Sequence, residues 1–188
     1  MRASVVVALL LPAVAAGASD LPGPEARFLG WNPDSTDFAY VVTAMRGGRV
    51  HEGWFLKGVS KGGIATPSSC RGPVRDRVKM LHYVTNEVRG QRLSPYVQAF
   101  LVGDGRTLRV ALEVGPRRLT WSVWLDDAAR PGESQRLLRG YFDELWTDLA
   151  ARVFLAPDRR WAAVLVEVST SYRRDTQVAG VRLGGGAP

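Results

Sequence analysis

The chain has a single cysteine, Cys70, and only two histidines, His51 and His82. One thiol cannot close an internal disulfide, so packing has to carry stability, and no Cys or His cluster with metal-ligand spacing is present. There is no HExxH, no paired CxxC, no GxSxG and no phosphate-cradling glycine loop. GVSKGG at 58–63 sets a lysine among small residues without the P-loop spacing and reads as a loop. Beyond the N-terminus, no apolar run approaches the roughly twenty residues that span a bilayer. Lysine is scarce, at 57, 61 and 79 only, so nearly all of the positive charge behind the formal +7 is arginine. Those arginines are scattered rather than clustered, which argues against nucleic acid as a partner and leaves a weak attraction to anionic surfaces.

What is present starts with a charged Met1-Arg2, an apolar stretch from Ala3 to Ala16, and Ala16-Gly17-Ala18 ahead of Ser19-Asp20. A basic start, a short apolar middle and small residues spaced A-x-A form a secretory signal peptide, with cleavage expected after Ala18. The expected organisation is a signal peptide over 1–18, one exported β-rich domain over 19–183 and a flexible tail over 184–188. That places the product in the periplasm or outside the cell.

Strand signals dominate the rest. Phe38–Thr43 and Trp54–Val59, separated by Arg46-Gly47-Gly48, form a candidate hairpin. The runs 96–102, 107–114 and 119–125 read as strands, and the last two alternate in period two, as strands with one buried face do. On the last of them Leu119, Trp121, Val123 and Leu125 share one parity, and Trp124 takes the other. Two stretches carry helical spacing: 74–88, opened by Pro73, with Val74, Val78, Leu81, Val84 and Val88; and 134–150, with Leu137, Leu138, Tyr141, Phe142, Leu145, Trp146 and Leu149. A strand from Val78 to Val84 competes with the first helix. The fold expected is α+β, mainly antiparallel β with about seven strands and two helices; a degenerate small β-propeller is the alternative.

One phrase recurs. FLGWNPDSTDFAYVV at 28–42 and LAPDRRWAAVLVEV at 155–168 place Pro33 on Pro157, Asp34 on Asp158 and Ala39 on Ala163, and a looser copy sets Asp104 of GDGRTLRVALEV in the Asp position. Proline presets a turn, the Asp carboxylate can brace backbone N–H groups two residues on, and a strand follows. Structural turn residues are therefore expected at Pro33, Asp34, Asp104, Pro157 and Asp158. The phrase resembles the TolB-type WD40-like β-propeller repeat, W-S-P-D-G-[KR]-x-[IL]-A-[FYV], as found in short predicted secreted bacterial proteins. Trp31, Pro33, Asp34, Ala39 and Tyr40 match it, as do Pro157, Asp158, Arg160, Ala163 and Val164. That resemblance implies blades with binding at one face and no catalysis by the repeat itself. The glycine after Pro-Asp is missing from both clear copies, where Ser35 and Arg159 stand, and the Asp positions are not evenly spaced.

The functional expectation is a non-catalytic envelope domain that binds another envelope protein, a peptide or a glycan through Trp124, Trp54 and Arg118. No cofactor or metal is implied. A thiol or hydrolytic enzyme using Cys70 with His82 or His51 is the alternative of a different class, and a structural envelope component is the third.

Overall fold

The computed structural model describes residues 23–59, 64–65, 73–80, 83–143 and 146–184. The expected signal peptide, Cys70 and His82 lie outside the described residues. Within them the chain is mainly antiparallel β, in three sheets that pack in series.

The first sheet joins β1 (Glu25–Trp31), β2 (Asp37–Arg46) and β3 (Arg49–Gly58) in that order. Its β2–β3 hairpin is the one the sequence announces, closed by Gly47 and Gly48, both at positive φ. The outer sheet has the order β10-β9-β8-β7-β6, a meander of β6 (Gly90–Ser94), β7 (Val97–Gly103), β8 (Arg106–Val114), β9 (Leu119–Asp127) and β10 (Ser134–Phe142). Between them lies a sheet built on β11 (Asp148–Leu155), β12 (Trp161–Ser169) and β13 (Arg174–Arg182), with β4 (Ile64–Ala65) and β5 (Glu87–Val88) on its edges.

The middle sheet is apolar on both faces. Val153, Val164, Val166 and Val181 meet Leu108, Trp121, Val123 and Phe142 of the outer sheet. Phe154, Ala163, Leu165 and Val178 meet Phe28, Trp31, Phe38 and Tyr40 of the first. A strand buried on both sides loses alternation, which is why AAVLVEV reads as a continuous run. Each fully buried Val, Leu or Phe contributes about 1.5–3 kcal/mol.

The first sheet is covered on its far side as well. Ala39 and Val41 of β2 face away from the core just described, yet both are buried. The helix α1 (Pro73–Met80) packs there, with the Arg75 guanidinium 5.3 Å from the Trp54 ring centre. Proline at the first helical position and Asp76 in the first turn suit a helix start.

The expectation of about seven strands and two helices is corrected: the described residues hold thirteen strands and one helix, because short edge strands and the bulged β10 carry no clear period of two. The first helix ends at Met80: Val84 exchanges backbone hydrogen bonds with Trp31 at 2.8 and 3.0 Å, and Val88 belongs to β5. Gly30, at φ 143, is required here, because a Cβ would lie 2.4 Å from that of Tyr83. The second helix is absent from its described part, where 134–142 is β10 and 148–150 opens β11. A β-bulge between Arg136 and Leu138 is the cause. An inserted residue resets the alternation, so three-residue spacings within a strand imitate a helix.

Candidate functional site

The site is built on the outer sheet, on the face turned away from the core. The elements that pack against this sheet, β5, β11 and β13, lie on its apolar side with Leu119, Trp121, Val123 and Leu125. Trp124, of opposite parity to Trp121, stands on the other face and is half-buried.

Strand register explains that half-burial. Arg109 on β8 and Arg136 on β10 both lie directly opposite Trp124. Their guanidinium carbons sit 5.5 and 5.6 Å from the indole centre, so each approaches the ring closely enough for a cation–π contact. The indole Nε1 donates to Ser122 Oγ at 2.9 Å. Arg109 also donates from Nε and Nη2 to the two Asp126 oxygens at 3.0 and 3.3 Å, and Ser134 Oγ donates to Asp126 Oδ1 at 2.5 Å. Hydrogen bonding from Arg109, more than that from Ser134, holds the Asp126 carboxyl below its ordinary value, against an opposing desolvation.

A second aromatic–guanidinium pair lies further along the same face. Arg118, in the β8–β9 turn, sits 5.6 Å from the centre of Tyr141, which faces Thr120 across the β9–β10 pair and is exposed. Between the two pairs Arg139 stands opposite Ser122. Arg118, Arg136 and Arg139 have no carboxylate partner among the described residues, while Arg109 has one. In cross-strand order the face therefore carries guanidinium, indole and guanidinium, then a free arginine, then phenol and guanidinium.

Trp124 and Arg118 are thus brought to one face. Trp54 is not: it lies on β3 under Arg75, its Nε1 donating to Glu52 at 3.3 Å, with the middle sheet between it and Trp124. His51 is exposed on β3 opposite Ala44. Sequence reading missed Arg109, Arg136, Arg139 and Tyr141. Arg109 was within reach, because it shares the outward parity of its strand; the other three were hidden in the supposed helix.

The two Pro-Asp corners and the looser Asp104 copy fall one to a sheet, each inside a hairpin: 32–36 joins β1 to β2, 156–160 joins β11 to β12, and 104–105 joins β7 to β8. In the first corner Asn32 makes the brace, its Oδ1 accepting the N–H of Thr36 and of Asp37 at 3.0 Å each, while Pro33 and Asp34 are exposed. In the second, Asp158 Oδ1 accepts the N–H of Arg160 at 2.9 Å, and Pro157 is exposed. Asp104 is itself left-handed at φ 54, followed by Gly105 at φ 70, a two-residue hairpin turn, and its carboxylate lies 3.4 Å from Arg106.

Two concavities flank these elements. One of about 300 Å³ lies between Arg109 and the 127–134 loop, where Arg130 pairs with Asp127 and Glu133. The other, of about 640 Å³, is lined by Gly23, Pro24, Trp146, Arg173 and Asp175 among others. Among the described residues no group of three or more His, Cys, Asp or Glu converges, and no helix is long and apolar enough to cross a membrane. No protein-family model matches the chain, and comparison with curated proteins and with solved structures returns no match either.

Proposed function

We propose that this chain is a non-catalytic binding domain of the bacterial envelope, exported by its N-terminal signal peptide, that docks a partner on the outer face of its outer sheet. The observation that carries this reading is Trp124 held between Arg109 and Arg136 on a face that no other described element packs against. The opposite end of the stack is covered by α1, so the two terminal faces are treated differently by the same chain. An aromatic ring flanked by arginines is a common hot-spot composition. The TolB-type resemblance belongs to the same proposal: one corner per sheet supports a repeat, and binding rather than catalysis is what that repeat implies.

The test compares the mature chain, residues 19–188, with its Trp124→Ser and Cys70→Ala variants on an envelope extract at low and high salt. The expected result is one stoichiometric partner at both salts, kept by Cys70→Ala and lost by Trp124→Ser. Loss of every partner at high salt would mean nonspecific attraction to a basic surface. Retention by Trp124→Ser would move the docking surface elsewhere.

A further inference from the structure

The partner's chemistry can be read from β10. It is the outermost strand of its sheet and nine residues long, and its sequence SQRLLRGYF contains arginine at two positions and no acidic residue. Alternate residues of an edge strand turn their N–H and C=O groups away from the sheet. Near its end one carbonyl is taken, since Gln177 Nε2 donates to Tyr141 O at 2.9 Å while Gln177 Oε1 accepts from Trp121 Nε1 at 2.7 Å. No such side-chain cap on the backbone occurs among the described residues from Ser134 to Gly140; the Ser134–Asp126 bond joins two side chains.

The bulge gives this edge its charge pattern. In a regular strand Arg136 and Arg139 would point to opposite faces, because their separation is odd. With Leu137 inserted, Arg136 lies opposite Trp124 and Arg139 opposite Ser122, so both reach the uncovered face while Leu137 and Leu138 pack on the core. Arg136 rests against the indole and Arg139 is exposed, and neither meets a carboxylate among the described residues. A guanidinium held against a ring keeps N–H donors free for an oxyanion.

The other long edge differs. β3 mixes His51, Glu52 and Lys57, and α1 packs against it. The first sheet's other edge, β1, is seven residues long, but it carries both Glu25 and Arg27, packs against β12 and β13, and has Trp31 bonded to Val84; β4, β5 and β6 are two to five residues long. One edge therefore combines length, an open ladder and unpaired charge of a single sign.

We propose that β10 takes up an extended acidic peptide segment as an added strand, with carboxylates on alternate residues received by Arg136 and Arg139. The added strand lies beside Trp124's face, so this reading rests on the docking surface proposed above and names what docks there. Backbone pairing supplies affinity, and the arginines select acidic side chains on the outward parity. A flexible polyanion without a peptide backbone would meet the arginines alone.

The test uses the full mature chain with a short peptide of alternating Glu and Thr, the same peptide N-methylated at alternate residues, a Lys–Thr counterpart, and heparin as a sulfated polysaccharide. Binding is followed by calorimetry and by hydrogen exchange of the β10 amides. The Glu–Thr peptide is expected to bind, to protect β10 amides, and to bind about tenfold more weakly to the Arg136→Gln/Arg139→Gln variant. The N-methylated and Lys–Thr peptides are expected not to bind. Equal binding by the N-methylated peptide, or by heparin with no change in β10 exchange, would overturn strand addition and leave simple charge attraction. If the peptide fails while Trp124→Ser still loses the envelope partner, the acidic-strand reading falls and the docking face stands. If Trp124→Ser keeps that partner, both fall.

Discussion

The indole Nε1 of Trp31 donates to the carbonyl of Phe154 at 3.0 Å, in full burial and across 123 residues of chain. The same separation recurs at the corners themselves, where Ser35 Oγ accepts the N–H of Asp158 at 3.1 Å. The two Pro-Asp hairpins are thus bonded to each other, and the seam between first and middle sheets is polar at its rim and aromatic within. Phe28 stacks on Phe154 at 4.1 Å, and Trp31 lies 5.0 Å from Phe38. Replacing Trp31 by Phe keeps most of the packing and removes this hydrogen bond, while the Phe154 carbonyl stays in its pairing with Ala163 across β11 and β12, so a loss of about 0.5–1.5 kcal/mol is expected in urea unfolding. Trp31→Ala adds a cavity and should cost about 3–5 kcal/mol. Equal losses from the two variants would show that the hydrogen bond dominates.

A second prediction concerns the left-handed residues that stand where the repeat has glycine. Ser35 has φ 59 and Arg159 has φ 55. A side chain in that region costs about 1–2 kcal/mol relative to a right-handed conformation, partly offset by the greater freedom glycine has when unfolded. Arg159 is exposed, so Arg159→Gly should raise the unfolding free energy by some tenths to about 1 kcal/mol. Ser35 is buried and supplies the acceptor for Asp158, so Ser35→Gly should bring no gain. Parallel gains in both variants would mean that the Ser35 bond contributes nothing.

These corners also mark how far the sequence can be read. Alternation at 107–114 and 119–125 identifies β8 and β9, the apolar run at 96–102 identifies β7, and the parity of Trp121 and Trp124 gives the faces of β9, because a one-sided strand writes its environment in period two. The strand β1 is harder to see. EARFLGW contains a bulge between Phe28 and Gly30, and it owes Gly30 to contact with Tyr83, far along the chain. β10 misleads for the same reason, since the inserted Leu137 turns a period of two into spacings of three. Half of the candidate face follows from local pattern. The other half, Arg136, Arg139 and Tyr141, depends on a register that only the neighbouring strand fixes. That Trp54 and Trp124 lie on different sheets is likewise decided by long-range packing, which residue spacing does not encode.

Two carboxylates should respond to pH in opposite directions. Burial pushes Glu167 above the ordinary glutamate value, against a lowering by Arg174. Folding therefore favours its protonated form, and stability is lost as pH rises through its folded pKa. Glu167→Gln should raise the melting temperature at neutral pH, with a gain that shrinks toward pH about 4. Asp126 is held low, chiefly by Arg109. Its contribution is present above the unfolded aspartate value and disappears as pH falls through the folded one, so Asp126→Asn should destabilise at neutral pH and lose that effect in acid. Melting curves of both variants across this range check the signs; parallel pH profiles would contradict the assigned causes.

The bulge in β10 yields the sharpest expectation. Arg136 faces Trp124 and Leu138 faces Val123, so two neighbours on β9 oppose three residues on β10, and Leu137 is the extra one. Deleting Leu137 joins two correctly registered halves, and Arg136 and Arg139 keep their places opposite Trp124 and Ser122. The cost is the burial of one partly covered leucine, about 1–2 kcal/mol. Deleting Gly140 instead removes a residue from a regular stretch, where it pairs with Trp121, and a one-residue slip turns every side chain on one flank to the wrong face. Either Phe142 leaves the core or Leu138 does, so that variant should unfold at a much lower urea concentration than the Leu137 deletion. Similar unfolding midpoints for the two deletions would mean that register in β10 is not fixed by its pairing with β9, and the shared face of Arg136 and Arg139 would lose its structural basis.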